Sequence, residues 1–272
     1  MRDDECIQFL QWALPKQRMR WPGFRKVRGQ VCKRITRRMA ELSIDEISDY
    51  RDYLAEHEAE WSVLDNLCQV TISSFYRDRQ MYLFLAREVL PDLARWDLRQ
   101  GEDYLRVWSV GSGSGEEPFT ISLIWHLQVQ SLFPGLSLRL IATDANPVMR
   151  QRVADACYAY SSVKNLPADW IDTAFTREAK RYCLKPEFRD GIQFMPQDVR
   201  QINPTETFDL VLCRNLVFTY FDEDLQRNIL DRMLGVLKPD GALVIGIHER
   251  LPEGVGGFNE WSAKLRIYRK TS

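Results

Sequence analysis

The 272-residue sequence predicts an α/β fold, a doubly wound parallel sheet with a small β-hairpin insertion, preceded by a small all-α domain. Residues 1 to about 93 show only helical patterns, and from Tyr104 onward strand-like runs alternate with helical runs. One short segment breaks this alternation with two β-type runs in succession. Alternating strands and helices are typical of a parallel sheet with helices on both faces.

The N-terminal helical domain is predicted to span residues 1–78, and a linking helix is predicted to follow over 79–98. Within the first region, Pro22-Gly23 interrupts the helical pattern, because these two residues are the strongest breakers of regular structure. The α/β domain is then predicted to cover residues 99–272.

Basic residues dominate the stretch 25–38, where no acidic residue intervenes. Apolar residues recur there at every fourth position: Val27, Val31, Ile35 and Met39. This spacing predicts an amphipathic helix with one apolar stripe and one cationic face. The cationic face is interpreted as a docking surface for an acidic helical protein, or alternatively as a solvated face neutralised by the acidic helices that follow. Nucleic acid fits less well, because no aromatic side chains interleave with the basic ones.

The α/β domain contains the strand-like runs LRVWSV, LRLIAT, FDLVLC, ALVIGI and LRIYR. Its irregular segment is KRYCLKPEFRDGIQFMP, within a predicted hairpin subdomain at about 178–197. Turn-forming residues lie at Lys185-Pro186 and Asp190-Gly191, so the chain is expected to reverse there.

Composition excludes several classes of protein. The formal net charge of −1 does not indicate nucleic-acid binding. The N-terminus lacks the features of a signal peptide, and no apolar run is long enough to span a bilayer, so a cytoplasmic protein without membrane insertion is expected. The six cysteines form no C-x-x-C motif, so we expect reduced, buried thiols and neither a zinc site nor disulfides.

A glycine-rich turn follows the first strand in the segment VWSVGSGSGEEPF. Its glycines are Gly111, Gly113 and Gly115, and Glu116 stands where a dinucleotide-binding loop has its third glycine. A carboxylate beside a diphosphate would be repulsive, which argues against a dinucleotide ligand. S-Adenosylmethionine fits this loop better, because it carries a sulfonium cation and no phosphate.

Acidic residues follow the next two strand-like runs of the predicted sheet. Asp144 ends LRLIAT and is positioned to accept hydrogen bonds from ribose hydroxyls. Asp198-Val199 follows the run QFM and offers an acceptor for an exocyclic amine with an apolar wall for a purine. Each feature alone is weak, but three at successive strand ends support one another.

Three sequence blocks, GSGSGEEPFT, CRNLVFTYFD and LKPDGALVIG, resemble the CheR-type chemotaxis receptor methyltransferases. The resemblance extends over about residues 25 to 250. It implies a Rossmann-like methyltransferase domain that transfers a methyl group from S-adenosylmethionine to glutamate side chains of a chemoreceptor cytoplasmic domain, forming methyl esters. It also implies the domain layout described above.

The resemblance also assigns site residues. In TISSFYR, Thr71 and Ser73 replace an asparagine and a threonine of the family pattern, and Arg77 completes the block. Cofactor contacts are implied for a set spread over the strand ends: Thr71, Ser73, Arg77, Gly111, Glu117, Asp144, Asp198, Val199, Arg214 and Asn215. Arg77 and Tyr220 are the catalytic candidates, with Arg77 orienting the acceptor carboxylate and Tyr220 assisting. Glu116 is assigned to the start of the helix.

A glutamate acceptor needs no general base, because its carboxylate, with a pKa of about 4.3, is ionised at neutral pH. The histidines accord with this, since His57, His126 and His248 all lie outside the three blocks. His126 is interpreted as structural, and His248 lies near the rim of the predicted site.

Two departures from the family pattern keep alternatives open. CRNLVFTYFD carries one residue more than usual between its two parts, which affects the placement of Tyr220. The hairpin turn Lys185-Pro186-Glu187 lacks the glycine-containing loop of members that bind a receptor's C-terminal tether, so no tether is expected. The alternatives are a methyltransferase of the same fold acting on another acceptor, and a cofactor-binding regulatory module without turnover.

Overall fold

The computed structural model describes residues 2–70, 73–201 and 204–271. Two compact units are present. The first consists of Met1–Thr71 together with Thr219–Gln226, and the second of Ile72–Phe218 together with Arg227–Ser272. The segment predicted as a linking helix therefore belongs to the second unit.

The first unit is helical, as its sequence pattern indicates. Its N-terminal part forms α1 (Asp3–Ala13), α2 (Trp21–Phe24), α3 (Arg28–Glu41), α4 (Ile47–Glu56) and α5 (Glu58–Cys68). The apolar stripe of α3 is buried at Val31, Ile35 and Met39. Buried Glu60 of α5 accepts two hydrogen bonds from the Arg38 guanidinium group and one from the Tyr50 hydroxyl group, which ties α3, α4 and α5 together.

A short segment from late in the chain completes the first unit. The Arg18 guanidinium group pairs with Asp222, and Met19 forms an isolated antiparallel bridge with Phe221. The Arg20 amide donates a hydrogen bond to the Tyr220 carbonyl oxygen at 2.8 Å. The unit is therefore discontinuous in sequence.

The second unit begins with α6 (Arg79–Phe84), a π-helical turn (Leu85–Val89) and α7 (Leu90–Gln100). In chain order, the strands of its main sheet are β1 (Tyr104–Val110), β2 (Ser137–Asp144), β6 (Ile192–Pro196), β7 (Phe208–Cys213), β8 (Leu237–Ile245), β9 (Phe258–Ser262) and β10 (Ile267–Lys270). These seven strands lie side by side in the order β6-β2-β1-β7-β8-β10-β9. β10 is antiparallel to both of its neighbours, whereas β6, β2, β1, β7 and β8 are mutually parallel. The predicted doubly wound α/β fold is confirmed.

Between β6 and β7 the described residues form no helix, whereas the connections β1–β2, β2–β6 and β7–β8 are helical. They contain α8 (Glu116–Ile124), which continues as a π-helical turn, α9 (Pro147–Asp155), α10 (Tyr160–Val163), α11 (Ala168–Ala174), α12 (Val217–Tyr220) and α13 (Glu223–Val236). The core is formed by fully buried side chains of the central strands, among them Val107, Leu210 and Val244. Parallel strands buried on both faces read as the near-continuous apolar runs seen in the sequence.

A second sheet consists of three strands, β3 (Cys157–Ala159), β4 (Phe175–Glu178) and β5 (Arg181–Leu184). Their order is β3-β5-β4. The hairpin turn is at Ala179-Lys180, where Ala179 has a φ of 52°. The predicted turn at Lys185-Pro186-Glu187 is wrong, because the run that follows it forms β6 of the main sheet. The hairpin insertion itself is present, but it lies earlier in the chain.

Four of the six cysteines form disulfides, so the expectation of reduced thiols is wrong for these four. Packing of α1 near α3 joins Cys6 to Cys32, and the β3–β5 register places Cys157 opposite Cys183. Each pair is 26 residues apart, and no local motif marks such a separation. Cys68 and Cys213 are free and buried. Among the residues that the structure describes, no helix is long and apolar enough to cross a bilayer.

A buried charge cluster lies at the amino-terminal ends of β7 and β8. The Lys238 ammonium group is 3.0 Å from the Asp97 carboxylate of α7 and 2.8 Å from that of Asp209. Burial, together with repulsion from Asp209, raises the pKa of Asp97 to about 7. The folded protein therefore holds a proton at pH values where the unfolded chain has released it.

The free energy of unfolding should consequently fall as pH rises from about 4 to 7, since the folded state binds more protons over this range. Asp97→Asn should reduce this fall by about 1–2 kcal/mol, because the amide does not titrate. Urea unfolding at pH 5 and pH 8 measures both values. Asp155→Asn, on the exposed face of α9, is the control. An unchanged pH dependence in Asp97→Asn would contradict the assignment.

Candidate active site

The glycine turn connects β1 to α8 at the carboxyl edge of the sheet. Gly111, Gly113 and Gly115 have φ values of +68°, +55° and +94°, a region that L side chains rarely adopt. A Cβ atom on Gly111 would lie 2.4 Å from the Leu216 side chain, whereas one on Gly113 would meet no atom within 4 Å. The turn is thus closely packed at its start and open at Gly113, where a ligand has room to approach.

Asp144 at the end of β2 fixes the position of this turn. One carboxylate oxygen accepts a hydrogen bond from the Gly113 amide and the other from the Asn146 amide, both at 2.8 Å. Burial raises the pKa of Asp144. The acid predicted from the strand end is therefore held beside the glycine turn.

The two glutamates of the turn have different partners. Glu117 accepts hydrogen bonds from the Ser109 hydroxyl group at 2.9 Å and from the Arg214 guanidinium group at 3.0 Å. Glu116 accepts from the hydroxyl groups of Ser114 and Ser162, at 2.9 and 3.0 Å. Glu117 is therefore linked to the ends of β1 and β7, whereas Glu116 holds the turn and α10.

Arg214 follows β7 and is the buried centre of the site. Its guanidinium group donates to the Asp78 carboxylate at 2.5 Å, to Glu117, and to the Tyr82 hydroxyl group at 3.1 Å. Burial alone would lower the pKa of Arg214, but Tyr82, Glu117 and Asp78 outweigh it and raise the pKa. Two carboxylates thus compensate a cation that would be costly to bury alone.

Arg77 is presented by a strained turn. Its neighbours Tyr76 and Asp78 have φ values of 55° and 65°, which are unfavourable for residues other than glycine. Both are anchored, since the Tyr76 amide donates to the Thr120 hydroxyl group and Asp78 binds Arg214. Tyr76 also stacks on Tyr82, with ring centroids 5.4 Å apart. The Arg77 side chain is exposed, and its carbonyl oxygen accepts a hydrogen bond from Arg214.

The predicted adenine-side residues lie after β6, the strand that pairs with β2. Asp198 forms a bidentate ion pair with Arg200, at 2.7 Å for its closest contact, and Val199 is buried. The Asp198 charge contributes to the raised pKa of Asp144, so the two acids lie at neighbouring strand ends as the sequence predicts. The ion pair with Arg200 was not foreseen.

Asn215 is held by a residue that sequence reasoning missed. Its φ is 55°, and its amide donates to the Glu249 carboxylate at 2.8 Å. Glu249 is 4% exposed and also accepts from the Gly246 amide at 2.6 Å, so it joins the carboxyl ends of β7 and β8. The sequence does place an acid in GIHE, four residues after the end of β8, next to His248, which is exposed.

The remaining candidates are not all brought together. Ser73 is half-buried, and Thr71 lies outside the described residues. Tyr220 belongs to the first unit, where its ring packs on Phe24 at 4.9 Å. His126 hydrogen-bonds to Ser122 within its own helix, as a structural histidine does.

The donor set suits a ligand with hydroxyl groups and a positive charge. Asp144 lies against the open position Gly113, while Glu117 and Asp198, at the start of α8 and after β6, are each paired with an arginine. Asp144 forms no ion pair among the described residues, so its carboxylate can accept ligand hydroxyl groups and disfavours a phosphate. The residues present therefore fit S-adenosylmethionine.

Residues 71–267 match the family model described as CheR methyltransferase, SAM binding domain. The chain belongs to the CheR methyltransferase family. Its α/β domain is accordingly an S-adenosylmethionine-binding methyltransferase domain, as the sequence blocks indicate. The cofactor prediction is confirmed.

Two curated relatives of this CheR-family chain differ in length and in description. It is 28% identical over 230 residues to the Chemotaxis protein methyltransferase of Escherichia coli K12, covering 82% of this chain and 76% of that protein. It is 29% identical over 241 residues to a Rhodobacter capsulatus protein described as "Uncharacterized 104.1 kDa protein in hypE 3'region". That match covers 89% of this chain but 25% of the relative, so the chain spans a quarter of the longer protein.

Among solved structures, the chain resembles the N-methyltransferase NodS from Bradyrhizobium japonicum in complex with S-adenosyl-L-homocysteine. The sequence identity is 17% and the TM-score 0.31, with 61% of this chain and 70% of the other covered. A similarity of this size carries no argument about substrate.

We expect Glu117→Gln to weaken binding of S-adenosylhomocysteine about ten- to hundredfold, since a charge-assisted hydrogen bond contributes about 1.5–3 kcal/mol. The substitution removes the ion pair with Arg214, whereas Glu116→Gln leaves that pair intact and should change affinity less than threefold. Isothermal titration calorimetry measures both. An equal loss of affinity in the two variants would show that both glutamates only maintain the glycine turn and that Glu117 has no separate role in cofactor binding.

Proposed function

We propose that this CheR-family methyltransferase transfers a methyl group to glutamate side chains of a chemoreceptor cytoplasmic domain, giving glutamate methyl esters. The observation that carries the proposal is Arg77, an exposed residue on a turn anchored through Asp78 and Tyr76. A guanidinium group matches a carboxylate in shape and charge, so it can hold a glutamate acceptor in a fixed orientation.

S-Adenosylmethionine, when bound, supplies a methyl group on a positively charged sulfur. The chain's own task is then to position the acceptor, because a glutamate carboxylate is already ionised at neutral pH. Orientation of this kind can contribute about 7–11 kcal/mol in effective-molarity terms. The reaction therefore needs no general base. This agrees with the histidines, because His126 has a structural role and His248 is exposed.

Cofactor binding is proposed for the residues around the glycine turn. Glu117, Asp144 and Asp198 supply acceptors, the glycine turn that begins at Gly111 permits close approach at Gly113, and Val199 supplies an apolar wall. Arg214 and Asn215 act indirectly, since Arg214 is surrounded by Asp78, Glu117 and Tyr82. Contacts from Thr71 and Ser73 and the assisting role of Tyr220 rest on the family resemblance.

An acidic helical substrate is proposed to dock on α3 and the residues before it. Arg28 pairs with Asp3, Arg34 donates to backbone carbonyl oxygens, and Arg38 binds Glu60. Other cations of the stretch 25–38 stay exposed: Arg25, Lys26, Lys33 and Arg37. Some basic residues therefore serve the helical unit, as the alternative interpretation holds, and an exposed cationic face remains for a partner.

The name Chemotaxis protein methyltransferase, carried by the Escherichia coli relative, supports a chemoreceptor as that partner. The hairpin turn Ala179-Lys180 is tight and contains no glycine. Docking without a C-terminal tether remains the prediction for this chain.

Incubation with labelled S-adenosylmethionine and a receptor cytoplasmic fragment should yield label that alkali releases as volatile methanol. Methyl esters hydrolyse in base, whereas methylated amines keep their label. Protein without the receptor fragment is the control. Label that remains bound after alkali would refute a carboxylate acceptor, and binding of the cofactor without any transfer would favour a regulatory module.

Arg77→Ala should lower kcat at least tenfold and change the affinity for S-adenosylhomocysteine less than threefold, because Arg77 is proposed to hold the acceptor. Arg79→Ala, an exposed arginine at the start of α6, is the matched control. Steady-state methylation and calorimetry give the two quantities. A parallel loss of both in Arg77→Ala would instead assign Arg77 to cofactor binding.

A further inference from the structure

A cavity of about 520 Å³ lies between the loop after β8 and the β9–β10 hairpin. The loop contributes Arg250 and the apolar residues Leu251, Pro252 and Val255. The hairpin contributes Phe258, Glu260 and Tyr268 from its strands, with Tyr268 paired to Glu260, and Arg266 from the turn directly before β10. The cavity therefore combines apolar walls with two cations and one anion.

The two arginines of this cavity are uncompensated. Over the described ranges 2–70, 73–201 and 204–271, neither Arg250 nor Arg266 forms a side-chain hydrogen bond or an ion pair. Arg269 of the same hairpin differs, since it pairs with Asp92 and stacks on Trp261. Arg269, outside the cavity, is thus neutralised within the fold, whereas Arg250 and Arg266 at the cavity can bind an anion.

The position of the cavity connects it to the site. Arg250 directly follows Glu249, whose carboxylate binds the Asn215 amide after β7. The cavity therefore begins one residue from the group that fixes the Asn215 loop, at the same carboxyl edge of the sheet as the glycine turn. A protein segment presented at this edge can reach both.

We propose that the cavity binds acidic side chains of the protein substrate that flank the methylated residue. The inference rests on the proposed protein acceptor. Guanidinium groups bind carboxylates, and the apolar walls can cover the aliphatic part of a glutamate. Glu260 in the lining makes a singly charged carboxylate a better fit than a doubly charged phosphate. The enzyme would thus require acidic residues beside the methylated glutamate, in addition to an acidic surface that docks on α3.

The test uses a fluorescently labelled peptide rich in glutamate and leucine, and the same peptide with every glutamate replaced by glutamine. The protein carries Lys33→Ala and Arg37→Ala throughout, which removes the two exposed cations of α3. Arg250→Ala/Arg266→Ala should weaken binding of the acidic peptide about three- to tenfold, as expected for two partly exposed ion pairs. Glu260→Gln should strengthen it, because a repulsive charge is removed.

The matched control is Arg95→Ala/Arg99→Ala, which removes two exposed arginines from α7 and should leave affinity unchanged. Equal weakening in the control, or equal binding of the glutamine peptide, would overturn the proposal. Because the assay involves no methyl transfer, its result does not depend on whether the methyl ester assay succeeds.

Discussion

A single buried cation, Arg214, connects the parts of the site. Its guanidinium group joins the turn before α6, through Asp78, to the helix after the glycine turn, through Glu117. These segments are far apart in sequence, and without the cation two carboxylates would face each other in a buried environment. Removing one partner of a buried ion pair typically destabilises the fold more than replacing the whole pair by apolar side chains, because the remaining buried charge is left without compensation. The geometry around Arg77 and the glycine turn therefore depends on this cluster.

In the second unit, the residues of the candidate site and the buried Lys238 cluster lie at opposite ends of the parallel strands. The glycine turn, Asp144 and Arg214 follow the carboxyl ends of β1, β2 and β7, whereas the Lys238 cluster lies at the amino ends of β7 and β8. Ligands in open α/β sheets bind at the carboxyl edge, so the amino edge can hold buried charges without disturbing the site. The Lys238 cluster therefore contributes to the pH dependence of unfolding from the edge of the sheet opposite to the site.

Much of this arrangement could be predicted from local patterns, and its limits have a physical cause. The β1 and β2 runs, the glycine turn and Asp144 are read from neighbouring residues, because periodicity and turn chemistry are local. The pairing of Arg214 with Asp78 joins residues 136 positions apart, and Cys157 meets Cys183 only through strand register. Glu249 was missed because its role appears only when β7 and β8 are placed side by side. Contacts of this kind depend on topology, which residue spacing does not encode.

The discontinuity of the helical unit limits how the gene can be divided. Residues Thr219–Gln226 complete a unit whose other part ends at Thr71, and they supply the partners of Arg18, Met19 and Arg20. A fragment ending near residue 71 would lack these partners, and the remaining fragment would carry them exposed. Recombination that replaces only the N-terminal part of the gene would therefore break the contacts with Thr219–Gln226. An exchanged helical unit keeps these contacts only if Thr219–Gln226 is exchanged with it.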